Sequence, residues 1–279
     1  MPRLLLISDC CRPDGWQDPF NGTVLSHDLI RSIDPYHPVS VTLNCQNYFF
    51  KEYTAGADFI MEDVYPIGIN STWSKWGTAC NATLGDCGCD NCQGNVQDVA
   101  RRLDDLARYE RWSGLWPKTK AHNPQSFHGE DYWMRDPTVD EEVAMVALAL
   151  NHDAKASFSW VYPASSDLSA IHGEFARVVT RSPAVEFVVG SKPSAIRVAG
   201  LGVLDVAYWS RGSKALVSVV NGGYVDIDGP VRISFPDPSR PSAVSQSLWG
   251  PSAWQLLGSE LVFEGKLPAM SVSLLLLDL

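Results

Sequence analysis

The stretch Gly56-Ala57-Asp58-Phe59-Ile60-Met61-Glu62-Asp63-Val64-Tyr65-Pro66 decides the fold. Its middle, Asp58 to Asp63, reads as a strand, and Tyr65-Pro66 turns the chain out at its carboxyl end. Strands of the same kind flank it at Arg3 to Ser8, Val39 to Leu43, Lys118 to Asn123 and Ala156 to Val161. Helical patterns separate them at Thr23 to Ile33, Val96 to Trp112, Val139 to Asn151 and Leu168 to Arg181. Strand and helix in alternation is the pattern of a parallel α/β architecture. The third helix has the clearest start: Thr138-Val139-Asp140-Glu141 is a capping box, Pro137 precedes it, and Val143, Val146, Ala147 and Leu150 make one apolar face. That face is expected to pack on the parallel strands.

From about Ser194 the texture changes to short Val- and Leu-rich runs between Gly, Pro, Asp and Ser. Strands are expected at Ala195 to Ala199, Leu204 to Trp209, Ala215 to Val220, Val231 to Phe235, Val244 to Trp249, Leu261 to Glu264 and Ser271 to Leu277, an antiparallel β-sandwich of ordinary size. The division falls in Gly190-Ser191-Lys192-Pro193, giving residues 1–192 and 193–279 as the two domains. A long insertion at 68–95 interrupts the first, and loops of that length are usually functional or covalently braced.

The 279 residues carry a formal charge of −10, from 32 acidic and 22 basic side chains, so no basic stripe is available to neutralise a phosphate backbone. Nucleic acid is excluded as a partner, and no apolar run reaches the roughly 18 residues that span a bilayer. The aromatic content is high, with ten Trp, nine Tyr and ten Phe. Sugar-binding clefts use such rings, because the C–H face of a pyranose packs on an aromatic plane; core packing uses them as well.

Cys80, Cys87, Cys89 and Cys92 fall inside the insertion. Two readings compete. Four thiolates could hold zinc, but zinc frameworks pair their cysteines in short knuckles with a longer spacer between. Here three are crowded and one stands apart, which fits two local disulfides better. Asn21-Gly22-Thr23, Asn70-Ser71-Thr72 and Asn81-Ala82-Thr83 are glycosylation acceptors, and with the cysteines they point to a secreted protein. The opening apolar run, Leu4 to Ile7, is too short for a signal peptide, so the expectation is either export by another route or a missing N-terminal stretch.

Asp34-Pro35-Tyr36-His37-Pro38, then Asn44-Cys45-Gln46-Asn47, then Gly56-Ala57-Asp58 through Tyr65-Pro66 resemble the fifth and sixth strands of glycosidase barrels. Pro124-Gln125-Ser126-Phe127, Pro137-Thr138 with Glu141-Glu142, and Ser159-Trp160-Val161-Tyr162 follow in the order and spacing of secreted fungal glycoside hydrolase-like proteins. The resemblance runs from Pro13 onward. It implies the later part of a (β/α)8 TIM barrel, about five strand–helix units, followed by an all-β sandwich. It also implies hydrolysis of O-glycosyl bonds, a carbohydrate substrate, and no metal or organic cofactor. A non-catalytic carbohydrate-binding or structural protein is the alternative. Five strands leave a barrel unclosed, and its open edges invite self-association.

In such barrels the chemistry sits at the carboxyl ends of the strands, where a glycosidase needs two carboxyl groups across the scissile bond. Glu62 and Asp63 alternate in facing. Asp63, sharing parity with Phe59, Met61 and Tyr65, is expected to point into the mouth, and Glu62 toward the helices. In the resembled proteins the preceding strand ends in Asp-Glu-Pro-Asp-Gly; here the run is Ser8-Asp9-Cys10-Cys11-Arg12-Pro13-Asp14-Gly15, without the Glu. Asp9, Asp14 and the loop acid Glu130 are then the candidates for the second carboxyl group. Asn44, Gln46, Tyr65 and Gln125 are the candidates for binding sugar hydroxyls, although amides at strand ends brace the backbone as commonly, and Trp160 and Tyr162 are the candidates for an aromatic floor, with core packing as the alternative. For the cysteines, the intact mass under non-reducing conditions is expected to be lower by two hydrogens for each of two disulfides; unchanged mass with bound zinc would overturn this reading.

Overall fold

Four of the five expected parallel strands form one sheet in chain order: β1 (Ser40–Thr42), β2 (Phe59–Glu62), β3 (Thr119–His122) and β4 (Ala154–Ser157). The structure, a computed structural model, describes residues 19–43, 47–74, 77–80, 89, 92–237 and 239–279. The fifth expected strand, Arg3 to Ser8, lies outside them. By their contacts the residues divide into two units, Met1–Asp136 with Ala154–Val161, and Pro137–Asp153 with Tyr162–Leu279.

In the first unit every neighbouring strand pair is parallel, with Ile60 opposite Val41 and Lys120. The strands' two faces are chemically different. Val41, Leu43 and Ile60 form a core with Phe50 and Tyr53 of α2 (Phe50–Tyr53) and Leu106 of α3 (Gln97–Trp112). Phe59, Met61 and Ala121 cluster apart from that core, with Ala156 and Phe158. Period-two alternation thus gives β2 a helix-side face of even-numbered residues and an opposite face of odd-numbered ones.

Buried charge ties helix to strand. Lys120 Nζ lies 2.5 Å from Glu110 Oε2 of α3, both side chains nearly inaccessible. Burial lowers the pKa of the neighbouring Lys118, against the opposing pull of Asp58 and Glu110. At the start of α3, the buried Asp98 carboxylate accepts N–H bonds from Gln93, Gly94 and Asn95 at 2.8–2.9 Å. It fixes the end of the insertion onto the helix N-terminus, where a negative charge is favoured. Cys89 and Cys92 are disulfide-bonded, and Cys80 is disulfide-bonded as well. Three of the four thiolates a zinc site would need are therefore consumed; Cys87 and Asn81 lie outside the described residues. Asn70, exposed, uses its side-chain oxygen to accept the N–H groups of Thr72 and Trp73.

The helix α1 (Gly22–Ile33) is seated by two residues of the deciding stretch. A Cβ on Gly56 would lie 2.1 Å from the carbonyl carbon and oxygen of Thr23, so only glycine fits there. Asp58 accepts from Val39 N–H at 2.8 Å and faces Arg31 at 3.3 Å and His27 at 3.6 Å.

In the second unit, α4 (Val139–Asn151) has the expected capping box, with Thr138 and Glu141 exchanging side-chain-to-backbone bonds. The expectation of a single apolar face is corrected: every residue from Glu141 to Asn151 is buried. Within its unit α4 lies against α5 (Ser166–Val179) and against β6 (Leu204–Arg211), β7 (Lys214–Asn221) and β12 (Val272–Asp278). The change of texture at Ser194 therefore does not coincide with the division by contacts. The antiparallel strands form a five-stranded sheet in the order β5-β6-β7-β12-β9 and a three-stranded sheet β10-β11-β8, where β5 is Ser194–Ala195, β8 Val231–Ser234, β9 Ala243–Trp249, β10 Trp254–Leu257 and β11 Glu260–Phe263. Side chains from both sheets, among them Val206, Val217, Ile233, Leu261 and Leu275, share one core. The strand β10 is absent from the sequence reading. Its signal is the two-residue turn Gly258-Ser259 pairing Leu257 with Glu260, a hairpin connection with Gly258 at φ +64°.

The Asp58 cluster generates a prediction. Burial acts to raise the Asp58 pKa, but the Val39 N–H and the charges of Arg31 and His27 outweigh it, so the folded value lies below the ordinary 3.8. A carboxylate with a depressed folded pKa stabilises above its unfolded value and loses that contribution as pH falls through the folded one. Asp58→Ala is expected to cost about 1–3 kcal/mol at neutral pH in urea unfolding. The deficit should shrink below pH 3.8; a deficit independent of pH would show that packing alone is lost.

Candidate functional site

The carboxyl ends of β2, β3 and β4 lie at one end of the parallel sheet, and the candidate side chains there are built from the strands upward. Pairing continues past the strands: Asn123 N–H donates to Glu62 O, Phe158 N–H to His122 O, Trp160 N–H to Pro124 O and Ser126 N–H to Trp160 O, at 2.6–3.0 Å. The ladder holds the segments after β3 and β4 side by side, with Gln125 opposite Trp160.

Glu62 and Asp63 part ways at the end of β2. Glu62 shares parity with Ile60 and has a fully buried side chain, as does His122 of β3 in the same register. Glu62 Oε1 meets His122 Nδ1, and Glu62 Oε2 accepts from the Val64 N–H at 2.9 Å. Both carboxylate oxygens are thus engaged within the sheet and its turn. His122 Nε2 is buried without a hydrogen-bond partner. Asp63, also buried, follows Glu62 directly after the end of β2.

Beyond Asp63 the amides and rings form a braced platform. The phenolic oxygen of Tyr65 accepts from Asn123 Nδ2 at 2.9 Å, and the Tyr65 carbonyl accepts from the Trp133 indole at 2.9 Å. Tyr65, Phe127 and Trp133 meet edge to face, with ring centroids 4.8–5.9 Å apart. Gln125, expected to bind sugar, is fully buried and spends its amide on the chain itself. Its oxygen accepts from Ile67 N–H at 2.8 Å, and its nitrogen donates to the carbonyls of Ile67 and Phe127 at 3.0 and 3.1 Å. Gln125 is a brace for two loops. Trp160, by contrast, is 44 % exposed.

The remaining expected residues are placed as follows, where the structure describes them. Glu130 is exposed at the tip of a tight turn closed by mutual backbone bonds of Gly129 and Trp133, at φ +58°. Solvation there, rather than a cleft, is its environment. Tyr162 is exposed and belongs to the second unit, and Asn21 is exposed just before α1. Asp9, Asp14, Asn44 and Gln46 lie outside the described residues. The sequence reading missed His122 and Asn123, although both close the expected strand Lys118 to Asn123 and fall under the rule that singled out Glu62 and Asp63. Among the described residues no group of His, Cys, Asp and Glu has the geometry to hold a metal ion, and no helix is long and apolar enough to cross a membrane.

No protein-family model matches the chain, and no curated protein sequence matches it. Solved structures do. The α-amylase of Geobacillus thermoleovorans, complexed with acarbose, matches with a TM-score of 0.58 over 94% of this chain and 58% of that one, at 7% identity. An α-amylase from Anoxybacillus gives 0.57, 94%, 56% and 6%, and the debranching enzyme of Nostoc punctiforme 0.51, 91%, 54% and 12%. The fold is glycoside hydrolase-like. At such identities the likeness extends to the fold alone, and the chain spans little more than half the length of these structures. A glycoside hydrolase-like fold of mixed α/β type agrees with the parallel sheet and the antiparallel sheets described above.

The buried Glu62–His122 pair is expected to hold the strand ends together. Removing one partner of a buried pair costs about 3–5 kcal/mol, because the other is left desolvated. Glu62→Ala and His122→Ala should each destabilise by that order in urea unfolding, and the double variant by clearly less than the sum. Strict additivity would sink the pairing.

Proposed function

We propose that this chain is a carbohydrate-acting protein of glycoside hydrolase type, hydrolysing O-glycosyl bonds at the carboxyl end of its parallel sheet. The observation that carries this reading is that a buried acid, Asp63, and a half-exposed ring, Trp160, both follow the carboxyl ends of strands of one parallel sheet. A sugar ring stacks its C–H face on an indole while a carboxylate takes up a hydroxyl or acts at the anomeric carbon. Asp63 is the proposed catalytic carboxylate and Trp160 the floor. The Asn123–Tyr65 hydrogen bond lies in the segments that follow the same strands, and the second carboxyl group is proposed to come from Asp9 or Asp14, with Glu130 as the further candidate. In this reading the parallel sheet is part of a (β/α)8 barrel, and the two antiparallel sheets with their shared core are a β-sandwich. The sequons and the disulfides suit a secreted glycoprotein.

A second reading, carbohydrate binding without hydrolysis, is favoured by the engagement of Glu62 with His122 and Val64, which removes it from the chemistry. One set of measurements separates the two. On a panel of aryl glycosides and polysaccharides, Asp63→Asn should lower kcat by about 100-fold with KM little changed, as loss of a group acting in the transition state does. Trp160→Ala should mainly raise KM, by about tenfold. Sugar binding by the unaltered chain with no turnover on any substrate would leave the binding reading standing; neither binding nor turnover would overturn both.

A further inference from the structure

A second group of aromatic rings stands on the carboxyl side of β1, at the end of the sheet that bears Asp63 and Trp160. After β1 the chain turns through Asn47, Tyr48 and Phe49 into α2. Phe49 lies against Phe20 at 4.5 Å and against Tyr48 at 4.7 Å between ring centroids. Beneath them Tyr53 is almost completely buried, stacked under Tyr48 at 6.3 Å and meeting Phe20 edge to face at 5.6 Å. The upper three rings remain open to solvent: Phe20 and Phe49 are each 46 % exposed and Tyr48 is 37 % exposed.

Two features set this cluster apart from scattered surface aromatics, which need no explanation. Phe49 holds a left-handed backbone, φ 43° and ψ 46°, a conformation that bulky residues rarely adopt. Backbone strain of this kind is unfavourable and collects at ligand-binding positions. The turn also places hydrogen-bonding groups next to the rings, the exposed Asn47 amide and the Tyr48 phenol. Flat apolar faces flanked by an amide and a hydroxyl suit a pyranose, which is apolar across its C–H face and polar around its rim.

The geometry points to a second sugar-binding subsite made of Phe20, Tyr48 and Phe49, with Tyr53 as its buried base, that takes a further unit of an oligosaccharide. It rests on the carbohydrate reading above and extends it: the ligand is a chain of several sugars, held at Trp160 and again at the β1 turn.

Calorimetric titration of the full chain with maltohexaose, xylohexaose and cellohexaose, and with the matching disaccharides, tests it. Asn tolerates a left-handed backbone, so Phe49→Asn removes the ring and keeps the turn. It should weaken the hexaose that binds by about tenfold while leaving the disaccharide affinity and the thermal midpoint unchanged. Phe20→Ala, outside the turn, should do the same, and it decides the question if Phe49→Asn fails to fold by far-ultraviolet circular dichroism. Trp160→Ala should weaken hexaose and disaccharide alike. Hexaose binding undiminished in both aromatic variants, with Trp160→Ala still weakened, overturns the subsite and leaves the carbohydrate reading intact. No hexaose bound by the unaltered chain overturns the carbohydrate reading and the subsite with it.

Discussion

A carboxylate with no solvent exposure must find its partners inside the protein, and Glu62 finds them in His122 across the sheet and in the Val64 N–H two residues on. That junction governs the rest of the first unit. It joins β2 to β3 at their carboxyl ends on the helix side, where Lys120 and Glu110 make the neighbouring buried pair. With Glu62 committed there, period-two alternation leads one to expect Asp63 on the opposite face. The same two groups bend the chain at Val64 and start the Tyr65 to Ile67 segment, onto which Trp133 and Gln125 then bond. One buried carboxylate thus ties two strand ends to the first residue of the turn after them.

The loops after β2 and β3 are held by each other rather than by regular structure. Gln125 supplies the hydrogen bonds a strand would have given Ile67, and the Tyr65, Phe127 and Trp133 rings fill the space between. Such bracing limits side-chain motion where binding geometry has to be kept. It also explains why an amide at a strand end is a weak sign of ligand contact: loops without a ladder need an amide's donor and acceptor for themselves.

Much of this was legible in the sequence, and the parts that were not have specific causes. The strands around Ile60, Lys120 and Val41 followed from the alternation of strand-like and helix-like stretches, and the capping box at Thr138 and Glu141 was formed as its spacing predicts. The opposite facing expected of Glu62 and Asp63 rests on period two alone. Partners distant in sequence left no such trace: His122 lies sixty residues from Glu62 and Trp133 sixty-eight from Tyr65, and nothing local marks either as a mate. For α4 the pattern of one apolar face misled, because Glu141, Glu142 and Asn151 are buried too, with partners of their own: Tyr224 for Glu141, His172 for Glu142 and Asp205 for Asn151. Polar residues placed by pairing look from sequence like a solvent face. Phe49 was silent for the same reason, since a left-handed backbone at a bulky residue has no sequence signature.

The chemistry open to the strand ends follows from how their acids are spent. Glycosidic hydrolysis by two carboxyl groups requires them about 5 Å apart for a covalent intermediate, or roughly 6.5–9.5 Å apart for a water between them. Glu62 is engaged by His122 and the Val64 N–H and Glu130 stands on a solvated turn, which leaves Asp63, buried at the end of β2, as the strand-end acid of the proposal. A second acid has to arrive from a different element, and that requirement separates catalysis from recognition. In the proposed reading, recognition needs only what the strand ends already hold: an open indole and a buried acid. Catalysis adds one carboxyl group at a set distance, so hydrolysis and binding can differ here by a single residue on one loop while the sheet, its braces and its aromatic surfaces stay the same.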